Sequence, residues 1–240
     1  MEVVGIDQIS PDQVIFFAWH FVTINATLVY TWLIMALLVF GSIAITRNLS
    51  SDRTMSRWQN LLEVIIGTIR SEIREIVREG ADSYFPFIGT LFLFIFLSNL
   101  LTFIPGYVAP TSSLTTTTAL AIVVFFAVPI YGISKQGVTE YLKEYFRPVF
   151  FFFPFHVMGE ISRTLALAVR LFGNMMSHEK VIAILLAVTP LFFPVVMQVL
   201  GLLIGLIQAY IFVVLTMVYI ASATQTHEDA EHKPKVQQTT

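Results

Sequence analysis

The sequence predicts an all-α integral membrane protein: about five membrane helices and one amphipathic helix at the inner surface, the last two long helices forming a hairpin. Three observations carry this expectation. Of the 240 residues, 56% are hydrophobic and only 12% are charged, about half the ~25% charge of an ordinary soluble domain. Charge-free runs recur that are long enough to cross a bilayer, which takes about 20 apolar residues. Lysine and arginine collect in alternate connections between those runs, the pattern that sets orientation in a membrane. The whole chain, 1–240, reads as one membrane domain.

Residues 1–20 form an outer N-terminal segment. Its start, MEVVGIDQISPDQ, is acidic and lacks the basic region of a cleaved signal peptide, so the first span is expected to remain as an anchor. No charged side chain lies between Asp12 and Arg47, and residues 21–46, with a core at 28–45, make that span. Residues 58–79, WQNLLEVIIGTIRSEIREIVRE, place apolar residues at 62, 65, 66, 69, 73 and 76, which is helical spacing. Glu63, Arg70, Arg74, Glu75, Arg78 and Glu79 fall largely off that stripe. A helix so charged does not span. Its first half is expected against the membrane and its second half at the inner surface, or else the whole helix packs on a partner.

Residues 83–134 carry no charge and are too long for one span. The polar turn region PGYVAPTSSLTTTT (105–118) divides them into a two-span hairpin, with spans at 85–104 and 117–134. Residues 150–225 hold two further long apolar segments, 150–190 and 192–225, and 226–240 is a polar tail. Arg47, Arg53 and Arg57 follow the first span and Lys135, Lys143 and Arg147 follow the third, whereas the N-terminal segment and 105–118 contain neither Lys nor Arg. The N-terminus and 105–118 are therefore expected outside, and the Arg-rich connections and the tail inside.

The fourth span carries the chemistry. With 155–182 wound as one helix and Arg170 set at zero, Arg163 and Ser177 lie about 20° away and Asn174 and His156 about 40° away. Glu160 and His178 lie about 80° away, on the same side as Asn174. These seven residues form one polar ridge, and the opposite side is mostly Leu, Ile, Val and Phe. A charge at the membrane centre costs at least about 2.5–3.5 kcal/mol, and such residues usually face a bundle interior or an aqueous path. Arg163 has Glu160 at i,i+3. It is an interfacial anchor whose head snorkels or a member of an ion path. Arg170 has no carboxylate within four residues, and Glu179 projects from the opposite side. An arginine there suits a carboxylate supplied by another subunit, because a guanidinium keeps its charge after leaving water and does not carry a proton away.

Gln208, in GLLIGLIQAYIFVVLTMVYIASA, needs a hydrogen-bond partner inside an apolar segment. Gly201 and Gly205 share its face and permit close helix approach. If the last two helices pair, Gln208 comes near Arg170 and Asn174. Asn99 in the second span lines an entrance or bonds across helices. His20, His227 and His232 read as interfacial or solvated. No metal-ligand spacing, phosphate-binding glycine loop or GxSxG motif is present, so no metal, cofactor or enzymatic activity of the chain alone is expected. Zero cysteines exclude disulfides and thiol chemistry, and a formal net charge of −2 carries no nucleic-acid signal.

The runs EISRTLALAVRLFGNMMSHE (160–179), LIQAYIFVVLTMVYIASA (206–223) and SNLLTFIPGYVAPTSSLTTT (98–117) resemble subunit a of F-type ATP synthases (ATPase subunit 6). The R-L-F-G-N core is highly specific to that family. The resemblance covers nearly the whole chain, weakening only in the first 20 residues and the tail. It implies a membrane stator that faces a rotating ring of c subunits, with peripheral-stalk b subunits and the rest of the synthase as further partners, in the lipid of a bacterial cytoplasmic (inner) membrane. It also implies two offset half-channels, and a last helix hairpin tilted along the ring surface. Arg170 corresponds to the essential arginine that meets the ring carboxylate. Asn174 and Gln208 match the polar residues flanking it, Glu179 the family acid, and Asn99 a polar position of the outer channel. In enteric members glycine stands at 178 and histidine at 201; here the pair is exchanged, as in mitochondrial members. Thr102 and Tyr107 stand where enteric members have acids, which leaves His178 and Glu179 as the better candidates for proton handling.

Two rival readings remain open from sequence. A self-contained secondary transporter or channel would assemble its own midplane site, often from internal repeats, and no repeat is evident. A membrane scaffold leaves the polar ridge without a purpose. Ion choice, H⁺ or Na⁺, is expected to reside largely in the ring; His178 and Glu179 favour H⁺.

Overall fold

The computed structural model describes residues 15–19, 22–47, 57–76, 81–104, 106–139, 141, 153–189 and 192–225. Arg53, Lys143, Arg147, Arg78, Glu79, His20, the side chain of His156 and the tail 226–240 lie outside these described residues. Helices dominate, and five of them are long and apolar enough to cross a membrane. The chain is a multi-pass integral membrane protein.

One short antiparallel hairpin precedes the helices. Strand β1 (Ile15–Trp19) pairs with β2 (Val22–Asn25), Trp19 opposite Val22. Helix α1 therefore runs over Ala26–Thr46 and does not begin at 21. The local cause is the β-branched run Val22-Thr23-Ile24, which is stiff and favours extended backbone. Asn25 is still extended, at φ −83° and ψ 156°. Within the chain α1 buries little beyond Ala26, Thr27 and Ile34, and Trp32 and Phe40 are 61% and 69% exposed. Such apolar exposure suits a lipid-facing helix.

Helix α2 (Arg57–Ile76) docks on its own chain. Ile69 and Ile73 are buried in the core, and Ile65 and Ile76 pack against it, on α3 and on the last helix. Its charges stay at the rim. Arg70 Nε lies 3.1 Å and Arg74 Nη2 3.9 Å from the Asp82 carboxylate, and the Arg70 guanidinium stands over the Phe85 ring at 5.5 Å. The Tyr210 hydroxyl donates to Glu72 Oε2 at 3.0 Å.

Helices α3 (Ala81–Leu100) and α4 (Leu114–Gln136) follow, touching where Tyr84 and Phe87 meet Tyr131. Their connection is more than a surface turn. After a 3₁₀ turn at Leu101–Phe103, the sequence Ile-Pro-Gly-Tyr reverses the chain. Gly106 takes φ 87°, a conformation open to glycine, and the Tyr107 N–H donates to Ile104 O at 3.1 Å. A second 3₁₀ turn, Pro110–Ser112, then folds into the bundle, where Ala109, Thr111, Ser112 and Ser113 are 0% exposed. Small hydroxyl side chains allow this because each finds a partner nearby. Ser112 Oγ donates to Ala109 O at 2.7 Å and Thr117 Oγ1 to Ser113 O at 3.0 Å. Ser113 caps α4 by accepting from Thr116 N at 3.4 Å.

Helices α5 (Phe153–Val188) and α6 (Phe193–Gln225) are the two longest. They pair as an antiparallel hairpin: Arg163 meets Tyr219, Asn174 meets Gln208 and His178 meets Gly201. Helix α6 buries Gly201, Gly205, Gln208, Ala209, Phe212, Thr216 and Ile220 on one face, the three-to-four spacing of a helix packed along one side. The shared core joins Tyr84, Ile88 and Ile95 of α3, Val124 of α4, Leu167 and Leu171 of α5, and Phe212 and Ile220 of α6.

Candidate functional site

Helix α5 has two faces of different character. Leu167, Ala168, Leu171 and Met175 are buried against the bundle. Arg163, Arg170, Asn174 and Ser177, from the polar ridge, are exposed on this chain. Glu160 and His178 lie at the edge between the faces and are half-buried. From Glu160 to Glu179 the helix rises about 28 Å, close to the ~30 Å hydrocarbon thickness of a bilayer.

Three polar groups occur along that length. At one end Arg163 Nη1 pairs with Glu160 Oε1 at 3.1 Å, and the Arg163 guanidinium stands 5.4 Å over the Tyr219 ring. In the middle Asn174 Nδ2 donates to Gln208 Oε1 at 2.7 Å. Gln208 is 2% exposed, and its Nε2 has no partner among the described residues. Arg170 lies one turn from Asn174, and no described residue forms an ion pair with it.

The other end lies against the α3–α4 connection. The Glu179 carboxylate accepts from the Ala109 backbone N–H and shares the single Ser112 hydroxyl proton with Ala109 O. His178 rests its imidazole over Gly201 so closely that a Cβ there would overlap the ring edge at Cε1 and Nε2. The His178 ring as placed thus requires the bare backbone at 201. His178 Nε2 is buried without a described partner. Tyr107 closes this end, with its ring edge-on to Tyr30 at 4.9 Å and its hydroxyl buried. Burial first, and then the Glu179 charge, pushes that hydroxyl above its ordinary value.

Asn99 sits apart from the ridge, 2% exposed. Its Nδ2 donates to Gly205 O at 2.8 Å, and its Oδ1 accepts from Thr111 Oγ1 at 2.7 Å. Gln198 Nε2 reinforces the same seam by donating to Thr102 O at 2.6 Å. Gly205 permits the approach, since a Cβ there would come within 2.9 Å of the Asn99 Cβ. Asn99 therefore ties α3, the inserted turn and α6 together. Among the described residues no group of three or more His, Cys, Asp or Glu is placed to hold a metal ion.

Sequence reading singled out Arg170, Asn174, Gln208, His178, Glu179, Glu160 and Asn99. The structure brings Asn174 to Gln208 and leaves Glu160, Arg170 and Glu179 in separate places along α5. It adds Ser112 and Thr111, whose signal was the run Thr-Ser-Ser within an apolar hairpin, and gives a larger place to Tyr107. It also adds Gln198 and Tyr219, which had no signal beyond a polar or aromatic residue in a span.

A family model for the ATP synthase A chain matches residues 28–221. ATP synthase subunit a 2 of Acaryochloris marina is 59% identical over 220 residues, 92% of this chain and 94% of its own. ATP synthase subunit a of Nitrosospira multiformis is 57% identical over 216 residues, 90% and 86% of the two chains. ATP synthase subunit a 2 of Picosynechococcus sp. is 56% identical over 221 residues, 92% and 95% of the two chains. With the match spanning all five membrane helices and the polar ridge of α5, the chain belongs to the ATP synthase A chain family.

Proposed function

We propose that this chain is the stator subunit of the membrane sector of an F-type ATP synthase, passing protons through two half-channels to and from the carboxylates of the c ring. The observation that carries the reading is Arg170: a permanent cation midway along a membrane helix, turned away from its own bundle, with no ion-pair partner among the described residues. A charge in that position needs a partner, and a ring carboxylate supplies one. The guanidinium holds that carboxylate ionised as it passes and, by not releasing a proton, separates the two half-channels. Asn174 and Gln208 flank the arginine as a fixed polar pair. His178 and Glu179 handle protons toward the end that faces the outside, and Glu160 lies at the inner end.

Each charge that crosses 100 mV releases about 2.3 kcal/mol. Routing it by way of the ring converts that energy to rotation and so to ATP synthesis. The peripheral-stalk b subunits hold this chain still, the hairpin α5–α6 tilts along the ring, and the complex lies in a bacterial inner membrane with the N-terminus outside and the C-terminus in the cytoplasm. A self-contained transporter would pair Arg170 within the chain.

The test is ATP-driven ion uptake into vesicles holding the assembled complex, wild type against Arg170→Ala, with and without sodium. Coupled uptake is expected to vanish while assembly on a gel is unchanged. Near-normal uptake would sink the stator reading. Uptake that requires sodium would keep the stator and replace the ion.

A further inference from the structure

The turn end of α5 holds a buried hydroxyl that the ion path as described leaves unused. Tyr107 is fixed on three sides. Its N–H bonds to Ile104 O at 3.1 Å, its ring meets Tyr30 edge-on at 4.9 Å and 68°, and the Tyr30 hydroxyl donates to the adjoining Gly106 O at 3.1 Å. Yet the Tyr107 hydroxyl itself is buried with no partner among the described residues. Two and five residues further along the same connection, Ala109 and Ser112 hydrogen-bond the Glu179 carboxylate. The tyrosine and the carboxylate are therefore set by one small piece of backbone. A side chain fixed so closely around an unpartnered polar atom points to a partner that completes the site.

We propose that Tyr107 is a positioning residue for Glu179: its hydroxyl donates, through a shared water, to the carboxylate and so sets ion access to that group from the turn end of the α5–α6 hairpin. The inference rests on the stator reading above. A carboxylate has room for about four hydrogen bonds; the Ala109 N–H supplies one, and the Ser112 hydroxyl, shared with Ala109 O, supplies no more than one more. The remaining sites serve the incoming ion and the water that Tyr107 orients. The hydroxyl keeps its own proton: burial and the Glu179 charge hold it above its ordinary value, so it acts as a fixed neutral donor. Among the described residues Tyr30, Lys180 and His178 are the other titratable groups at this end. The Lys180 charge acts on Glu179, and the His178 ring is held over Gly201.

The experiment uses the assembled complex in vesicles and compares Tyr107→Phe, Glu179→Gln, the two combined, and Arg170→Ala. Phenylalanine keeps the ring contact with Tyr30 and removes only the hydroxyl. Tyr107→Phe is expected to lower ATP-driven uptake about fivefold at equal assembly, the loss of roughly one hydrogen bond. Added to Glu179→Gln it should lower uptake no further, because the hydroxyl acts through that carboxylate. Wild-type uptake in Tyr107→Phe, a full further loss on top of Glu179→Gln, or failure of Tyr107→Phe to assemble would each overturn the inference, the last two in favour of a structural role. Arg170→Ala keeps the readings apart: if it abolishes uptake while Tyr107→Phe does nothing, the stator stands and only this inference falls.

Discussion

The connection between α3 and α4 is rich in hydroxyl groups and lies buried, whereas helix α2 is rich in charge and lies open. Thr111, Ser112, Ser113 and Thr117 are 0% exposed, yet Arg70, Arg74 and Asp82, where α2 meets α3, have side chains 47%, 62% and 66% exposed. The difference follows from what each group needs. A neutral hydroxyl or amide is satisfied by one or two hydrogen bonds, which a nearby carbonyl supplies. An ion that loses water needs a full shell of partners, and even a good pair rarely repays that cost. The bundle accordingly uses neutral polarity as internal joinery and keeps charge at its rim. Arg170 breaks this partition: it is charged, midway along a span and without an ion-pair partner among the described residues.

The sharpest way to break the comparison is Asn99→Leu. It leaves the Thr111 hydroxyl buried without its described partner, at about 1–3 kcal/mol, and removes the bond that ties α3 to Gly205 O of α6. Thermal dissociation of the complex in detergent should move down clearly; an unchanged midpoint would mean that the buried joint carries no stability. Next is Gly201→Ala, whose new methyl group meets His178 and should cost about 1–3 kcal/mol by overpacking. Adding His178→Ala should restore most of the loss in the same assay, and no restoration would place the strain elsewhere. The smallest effect belongs to the open side. Asp82→Asn removes an exposed pairing with Arg70 and Arg74, worth at most about 1 kcal/mol and less in high salt. A shift as large as that of Asn99→Leu would erase the contrast between the two regions.

Much of the architecture was legible because it is local. Length and hydropathy mark a span, and angular spacing on one helix sets Arg163, Arg170, Asn174 and Ser177 on one ridge. The exposed ridge and the buried face at Leu167, Leu171 and Met175 follow from that same periodicity. Less legible were features whose cause is spread along the chain. Asn99 bonds Thr111 and Gly205, and neither partner is implied by a period of 3.6. The same holds for Glu179, 67 positions after Ser112 in the sequence. At the N-terminus an apolar run was read as one span. The β-branched Val22-Thr23-Ile24 takes strand pairing instead, because Ile15–Trp19 offers it a partner.

The sequence by itself determined that this is a helical membrane protein with five long apolar helices, and which helix carries an arginine midway along it. Those are properties of composition and of one helical period. Only the tertiary structure decided that the polar connection 105–113 enters the bundle, that α2 docks on its own chain, and that Asn174 closes on Gln208 while Glu179 closes on Ser112. Hydrogen bonds between distant elements depend on where the backbones come to lie, and close approach at Gly201 and Gly205 sets that position.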